Sequence, residues 1–379
     1  MAILKSCSID SEIGVIGDDP LSEIIVRLPF KSVARSACVS KNWRAAVSDD
    51  YLRRRLPLLM TTVYFPDDDV VAGGGGGGGG GGPRFACAAS DGNDGHRLEE
   101  CDLGFLQERG GVVVCDGCNG LLLCRSPGTP EFFVVDPVTR RWAALPAPAK
   151  AATLSVLAFD PSTSPDYRVV NFTGWRDRGA AVEVFSSATW AWTARDAEFG
   201  GVPASSLSGS MHYHGGVLYI LASEPDCLVR LDLADFSSTA AVIDLPEPVD
   251  GGDAHVAHSG GRLHYIFRDG ELLKVWELDD CDQWRPKHAV KVEHLAHGDG
   301  GCRGGDEVRF LAMHPEKEDV VYTWSPWKVV EHDLRRKTTT CHCQAWEFGE
   351  GERNRVVKAW LVPSSCYLSD CLAHCHGKC

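Results

Sequence analysis

The side chains best suited to chemistry in this chain are its 16 cysteines and 14 histidines. Thiolates and imidazoles ligate soft metals, exchange disulfides and carry protons near neutral pH. Cys115-Asp116-Gly117-Cys118 has C-x-x-C spacing, but no second pair follows at zinc-ribbon distance and no βαβ pattern surrounds it. The expectation is a pair of structural thiols where a strand meets a turn. Near the C-terminus Cys366, Cys371, Cys375 and Cys379 are interleaved with His374 and His376, and Cys341-His342-Cys343 could add ligands. A helix would place Cys371, Cys375 and Cys379 on one face. Their spacing only partly fits zinc ligand loops, so a Cys/His-rich tail is expected, with no metal and no cofactor. The pairs His212/His214 and His255/His258 lie beside predicted strands and lack the helical His-Glu-x-x-His frame of a metalloprotease. The glycines of a nucleophile elbow are absent around Ser210. Ten consecutive glycines, Gly73 to Gly82, match any glycine-loop pattern formally, yet no strand–loop–helix frame encloses them. They read as a flexible insertion. No catalytic constellation emerges, and the chain is expected not to be an enzyme.

Composition narrows the remaining classes. The chain has 379 residues, 44% hydrophobic and 24% charged, which is ample for a globular core. Its net charge of −14 argues against a general nucleic-acid binder, which needs a basic face to displace counterions. No apolar run approaches the roughly 18–20 residues that span a bilayer, so no membrane role is expected. Met1 to Gly14 holds one lysine and no continuous apolar stretch, unlike a signal peptide. Reduced thiols and a cytoplasmic or nuclear location are the expectation, and the sequon Asn171-Phe172-Thr173 would go unused.

The elements that must position these residues change character near residue 57. Before it, apolar residues fall at helical spacing: Leu21, Ile24, Ile25 and Leu28 form one stripe, with Asp19 placed to cap the helix, Pro20 at its first position and Pro29 stopping it. A second helical stretch carries Val33, Ala34, Ala37 and Cys38, and a third, from about Ser40, carries Trp43, Ala46 and Val47. After residue 57 a unit of about 45–50 residues repeats. A glycine turn opens into an apolar strand at Asn119-Gly120, Gly215-Gly216 and Gly260-Gly261. A strand, an acidic turn and another strand then follow, most clearly from Val134 through Asp136 and Trp142 to Pro146. Four short strands at that period mean a propeller blade. Stacked blades would bury runs such as Val112-Val113-Val114 on both faces, and the tail strand Val356 to Leu361 would close the ring.

The segment Ile16 to Pro29, continued by Lys31-Ser32-Val33-Ala34-Arg35, by Cys38-Val39-Ser40-Lys41-Asn42-Trp43-Arg44 and by Ser48-Asp49, resembles an F-box. The downstream repeats resemble the F-box-associated, kelch-like β-propellers common in plant proteins. The implied fold class is multidomain, α then all-β: a small N-terminal helical module followed by a β-propeller of about six blades. The expected boundaries are an N-terminal tail over 1–15, the helical module over 16–56, the propeller over 57–363 and the Cys/His-rich tail over 364–379. The resemblance implies a substrate receptor of a Skp–cullin–F-box (SCF) ubiquitin ligase. In that family the helices insert into a Skp-type adaptor, which links to a cullin, and the downstream domain selects the client protein for ubiquitination. Ile16, Leu21, Ile24, Ile25, Leu28, Pro29, Val33, Val39 and Trp43 occupy the matching positions. Some of them must form the module's own core, and the client-binding residues stay unknown. Ile16-Gly17 stands where the family has Leu-Pro, and Ala34 and Ala37 stand where larger side chains are common, so adaptor binding weaker than a consensus module's is expected. Residues 16–56 carry +3, leaving −17 for the rest. Two alternatives remain: a non-degradative scaffold, or a glycan-binding propeller using Trp175, Trp324 and Trp327 in loops.

Overall fold

A computed structural model describes residues 18–28, 30–36, 38–48, 58–66, 84–88, 96–101, 103–109, 112–161, 163–236, 240–249, 252–295, 308–325, 328–336, 345–347, 354–363 and 372. Three short helices come first: α1 (Asp18–Val26), α2 (Phe30–Ser36) and α3 (Lys41–Ser48). Helices of seven to nine residues cannot hold themselves together by backbone hydrogen bonds alone. They are held by a shared core of Leu21 and Ile25 from α1, Val33 from α2 and Val47 from α3, with Val26, Leu28, Trp43 and Ala46 packed around it. α1 begins at Asp18, one residue before the expected cap, which leaves Pro20 in the first turn where its missing N–H costs nothing. The Trp43 N–H donates to Ser40 Oγ at 3.2 Å, so Ser40 caps α3.

The strands that follow pair antiparallel within each blade. The second blade is β4 (Val113–Cys118), β5 (Leu121–Arg125), β6 (Phe132–Asp136) and β7 (Arg141–Ala144). The third is β8 (Leu154–Phe159), β9 (Tyr167–Arg176), β10 (Gly179–Ser186) and β11 (Ala191–Glu198). The fourth is β12 (Leu207–His214), β13 (Val217–Ala222), β14 (Cys227–Asp232) and β15 (Ala241–Asp244). The fifth is β16 (Asp253–Ser259), β17 (Arg262–Arg268), β18 (Leu272–Leu278) and β19 (Trp284–Lys291). The sixth is β20 (Arg309–Met313), β21 (Val320–Ser325), β22 (Lys328–Asp333) and β23 (Ala345–Glu347). The first blade draws on both ends of the domain: β1 (Leu58–Pro66), β2 (Arg84–Ala88) and β3 (His96–Cys101) are completed by β24 (Asn354–Pro363). β24 runs antiparallel to β1 from Leu58 opposite Pro363 to Pro66 opposite Asn354, so the expected closing strand does close the ring. A short parallel pairing of β23 with β3 joins the sixth blade to the first.

Blades stack face to face, and each of the six seams holds its own apolar cluster. Phe85, Trp360 and Val362 meet Leu122 and Phe133 between the first and second blades, and Leu123 and Val134 meet Val169 and Phe185 at the next seam. The series continues with Phe172 against Ile220, Leu228 against Tyr265, Ile266 against Val321, and Tyr322 against Met60. Interior strands buried on both faces, such as β6, therefore read as continuous hydrophobic runs. The Val112–Val114 run is different. β4 is the innermost strand of its blade, and Val113 is 43% exposed rather than buried on both faces.

The three glycine turns occupy equivalent places, joining the inner two strands of the second, fourth and fifth blades. Both central residues of each have positive φ, from 45° at Asn119 to 90° at Gly216. That is the type I′ hairpin geometry, which side-chain-free or Asn residues adopt with least strain. Tryptophans bridge the seams. Trp192 Nε1 donates to the Pro146 carbonyl at 2.6 Å and Trp284 Nε1 to the Asp244 carbonyl at 2.8 Å, each reaching toward the preceding blade.

Candidate functional site

Two places bring together the residues singled out above: the helical module and the centre of the propeller. In the module, Ile16 and Pro29 lie outside the described residues. Leu21, Ile25 and Val33 are buried in the module's core, and Leu28 and Trp43 are half-buried against it. Ile24 and Val39 are different: they are 43% and 64% exposed. Ile24 follows the stripe by sequence but sits one residue from Ile25, about 100° around the helix, and so faces away from the core. Val39 lies in the turn between α2 and α3. Arg27, Arg35, Lys41 and Arg44 are exposed on the same module. Among its described residues the module thus presents Ile24 and Val39 to solvent amid positive charge, an arrangement suited to insertion into an apolar groove.

At the propeller's centre the six innermost strands, β4, β8, β12, β16, β20 and β24, surround a cavity of about 830 Å³. Lys358 Nζ on β24 donates to Asp116 Oδ1 on β4 at 2.9 Å, and the Leu157 N–H on β8 donates to Asp116 Oδ2 at 2.8 Å. One carboxylate therefore ties the closing strand to the next two blades. The Lys358 side chain stays 37% exposed because it borders the open channel. Burial alone would lower its pKa, but the Asp116 charge outweighs that and holds it above the ordinary lysine value.

Beside this pair the inner strands bring together three imidazoles. His212 Nε2 and His258 Nδ1 are 2.8 Å apart, sharing one proton between β12 and β16. The rings of His214 and His258 stack with centroids 3.7 Å apart, and His214 Nδ1 lies 3.8 Å from Asp160 Oδ2. Burial lowers all three pKa values, that of His212 to about 3, so the cluster is uncharged at neutral pH. In the sequence these histidines stand beside strands in two separate pairs, His212/His214 and His255/His258. A signal was present: all three fall within a few residues before a glycine turn of adjacent blades.

Cys115 lines the channel and Cys118 is buried, its thiol donating to the Phe159 carbonyl at 3.2 Å. Burial raises both pKa values, that of Cys118 to about 12, so neither is a thiolate at neutral pH. Among the described residues no group of three or more His, Cys, Asp or Glu is placed to hold a metal ion. Gly73 to Gly82, Cys341 to Cys343 and the cysteines and histidines of the 364–379 stretch lie outside the described residues. Leu372 from that stretch is buried in the seam between the second and third blades. The tryptophans proposed as a loop rim fall elsewhere. Trp175 belongs to β9, where its ring stacks on Phe172 at 5.0 Å and its N–H donates to Thr153 Oγ1 at 2.9 Å. Trp324 belongs to β21 and packs into a blade seam. Trp324 is half-buried there, whereas Trp175 remains 40% exposed near the β9–β10 turn. Trp327 lies outside the described residues.

Comparison with known proteins covers both places. Residues 105–365 match the family described as "F-box protein At3g26010-like, beta-propeller", and residues 16–55 match the F-box domain. An F-box/kelch-repeat protein of Arabidopsis thaliana, At1g15680, is 25% identical over 354 residues, covering 86% of this chain and 83% of its own length. The F-box protein At3g26010 of the same plant is 24% identical over 360 residues, covering 89% and 78%. Among solved structures, a chain of a nidogen/laminin complex is 10% identical with a TM-score of 0.45, covering 80% of this chain and 99% of that one.

Proposed function

Because the chain belongs to the F-box proteins with an At3g26010-like β-propeller, we propose that it is the client-recognition subunit of an SCF ubiquitin ligase. In this reading the helical module docks on a Skp-type adaptor, the adaptor links it to a cullin, and the propeller holds the client protein. The family is generally of a non-catalytic adaptor type. This chain's contribution to ubiquitin transfer is then proximity, converting an encounter between client and transfer machinery into a step within one complex. It would act in the cytoplasm or the nucleus, where that machinery works.

The observation that carries the reading is the exposure of Ile24 and Val39 on a module whose other described large aliphatics are buried or half-buried. Complete burial of such a side chain contributes about 1.5–3 kcal/mol, and these two already bury part of that surface. About 1 kcal/mol each is what docking would add, beside the contacts of the rest of the groove. Replacing the family's Leu-Pro by Ile16-Gly17 removes apolar and stiffening surface, in line with a modest adaptor affinity.

The test is co-expression of the full chain with a Skp-type adaptor and a cullin, followed by affinity capture with and without proteasome inhibition. A ternary complex with associated proteins that accumulate under inhibition supports the receptor role. A ternary complex whose associated proteins do not accumulate supports the scaffold reading instead, and absence of the adaptor refutes both.

A further inference from the structure

The channel at the propeller's centre has no part in adaptor docking, yet its chemistry is not that of a passive solvent-filled hole. Its volume of about 830 Å³ falls within the range of roughly 300–1,000 Å³ typical of small-molecule sites. An inner strand would normally fill part of this space with side chains. β12 does so from Met211 to His214 but leaves a gap before them: its pairing with β13 is interrupted between Leu207 and Met211, and Gly209 stands in the gap. A Cβ on Gly209 would meet no atom within 4 Å, so the glycine borders open space. Glycines and bulges in strand interiors recur where a ligand approaches the backbone.

The lining combines flat rings with neutral hydrogen-bonding groups. Tyr219 lies 5.2 Å from His258 and Phe310 lies 5.2 Å from His255, ring centre to ring centre. Met211, Val256 and Leu361 add apolar wall. The contact between His212 and His258 uses one nitrogen of each imidazole, leaving each ring a second nitrogen for a further hydrogen bond. Of the charged groups in the channel, Lys358 is paired with Asp116, and the Asp160 carboxylate, only 7% exposed, lies 3.8 Å from the uncharged His214 ring. Glu316, at the mouth, is exposed and screened by solvent.

We propose that the central channel is a binding site for an uncharged, planar heteroaromatic molecule, stacked against the ring wall and hydrogen-bonded to the His212/His258 pair. An anionic ligand would have to displace the Lys358–Asp116 pair or enter without a counter-charge, and a cationic one would have to reach Asp160, whose side chain is only 7% exposed beside His214. A purely aliphatic ligand would leave the second imidazole nitrogens without a hydrogen-bond partner. A flat ring carrying both donor and acceptor atoms satisfies the wall and the histidines together.

The experiment is a titration of the full-length protein at neutral pH, by calorimetry and ligand-observed NMR, with two neutral probes, benzimidazole and adenine. Benzoate and benzylammonium serve as charged counterparts. At least one neutral probe is expected to bind with a Kd below about 1 mM, with both charged compounds at least about tenfold weaker. Gly209→Phe, which fills the open space, should weaken that binding by about tenfold or more. His258→Phe, which keeps the ring and removes its nitrogens, should do the same, and it serves as the deciding variant if Gly209→Phe does not fold. The proposal is overturned if neither neutral probe binds, if a charged compound binds as well, or if binding survives in the folded variants.

Discussion

The ring depends on a seam between strands that are far apart in sequence, and one glycine there gives a sharp test. Gly117 on β4 faces Trp360 on the closing strand β24. A Cβ added at Gly117 would lie 2.5 Å from Trp360 Cη2, 3.0 Å from Trp360 Cζ2 and 3.2 Å from Leu122 Cδ2. Non-bonded carbons settle at about 3.5–4.0 Å, so the overlap with the indole is about 1 Å. Trp360 is 9% exposed and packed in the seam cluster with Phe85 and Phe133, and it can yield only by disturbing them. Overpacking of this kind costs about 1–3 kcal/mol. Against it stands about 0.4–1 kcal/mol gained because alanine has less conformational freedom in the unfolded chain. Gly117→Ala should therefore destabilise the propeller by about 1–2 kcal/mol, a drop in Tm of roughly 2–8 °C. The control is Gly209→Ala on β12, where the new Cβ meets nothing and only the unfolded-state gain remains. Two inner-strand glycines should thus respond with opposite signs in thermal unfolding followed by circular dichroism and tryptophan fluorescence. Trp360→Leu should recover part of the Gly117→Ala loss, giving a coupling of about 1 kcal/mol in a double-mutant cycle. Equal stability of the two alanine variants, or strict additivity with Trp360→Leu, would refute the close packing of the closing seam.

Three further outcomes follow from the same geometry. Ile25→Ala removes a fully buried side chain from a module core that has four buried residues among those described, and should cost about 2–5 kcal/mol. Hydrogen exchange should then show α1 unprotected while the blades keep their protection, whereas Val39→Ala should shift the module by less than about 0.5 kcal/mol. Alkylation at neutral pH, read by peptide mass spectrometry, should label the exposed Cys38 and Cys281 well before Cys118 and Cys124, whose thiols burial pushes up to about 12. Early labelling of Cys118 would show that the second blade opens readily. Lys358→Met should cost about 1 kcal/mol at neutral pH, a figure kept low because more than a third of the lysine side chain is exposed. The folded-state pKa of Lys358 is raised, so its stabilisation is fully present below the unfolded value near about 10.4 and is lost as pH rises through the folded one. The gap in urea midpoint between wild type and Lys358→Met should accordingly stay constant through neutral pH and close only above roughly pH 10.4.

What could be read from the sequence was whatever local geometry dictates. The type I′ turns at Asn119-Gly120, Gly215-Gly216 and Gly260-Gly261 mark the same hairpin in three blades because few residue pairs tolerate two successive positive φ values. Spacing between them gives the repeat, and the unclaimed apolar run near Trp360 gives the closing strand. The helical stripe was legible in the same way, from Leu21 and Ile25. Its division between core and exposed surface was not, because Ile24 and Ile25 differ only in angle around α1 and that angle matters only once α2 and α3 are in place. The histidine cluster was hidden for a related reason. His212 and His258 stand 46 residues apart and meet only because consecutive inner strands lie side by side around the channel. Trp175 and Trp324 sit on strands rather than in loops, and Trp324 shows why the residue type alone does not mark a rim: it packs in a blade seam, while Trp175 stays 40% exposed.

Calorimetry of the full-length chain with a purified Skp-type adaptor, beside an Ile24→Asp, Val39→Asp double variant, reaches the central claim most directly. Both side chains are exposed, so the variant should keep its helix content, while two carboxylates placed against an apolar groove should weaken binding by more than about tenfold. A one-to-one complex with wild type, lost or weakened to that degree in the folded variant, is the predicted result. No complex with wild type, or equal affinity for the variant, would contradict docking through this face of the helical module.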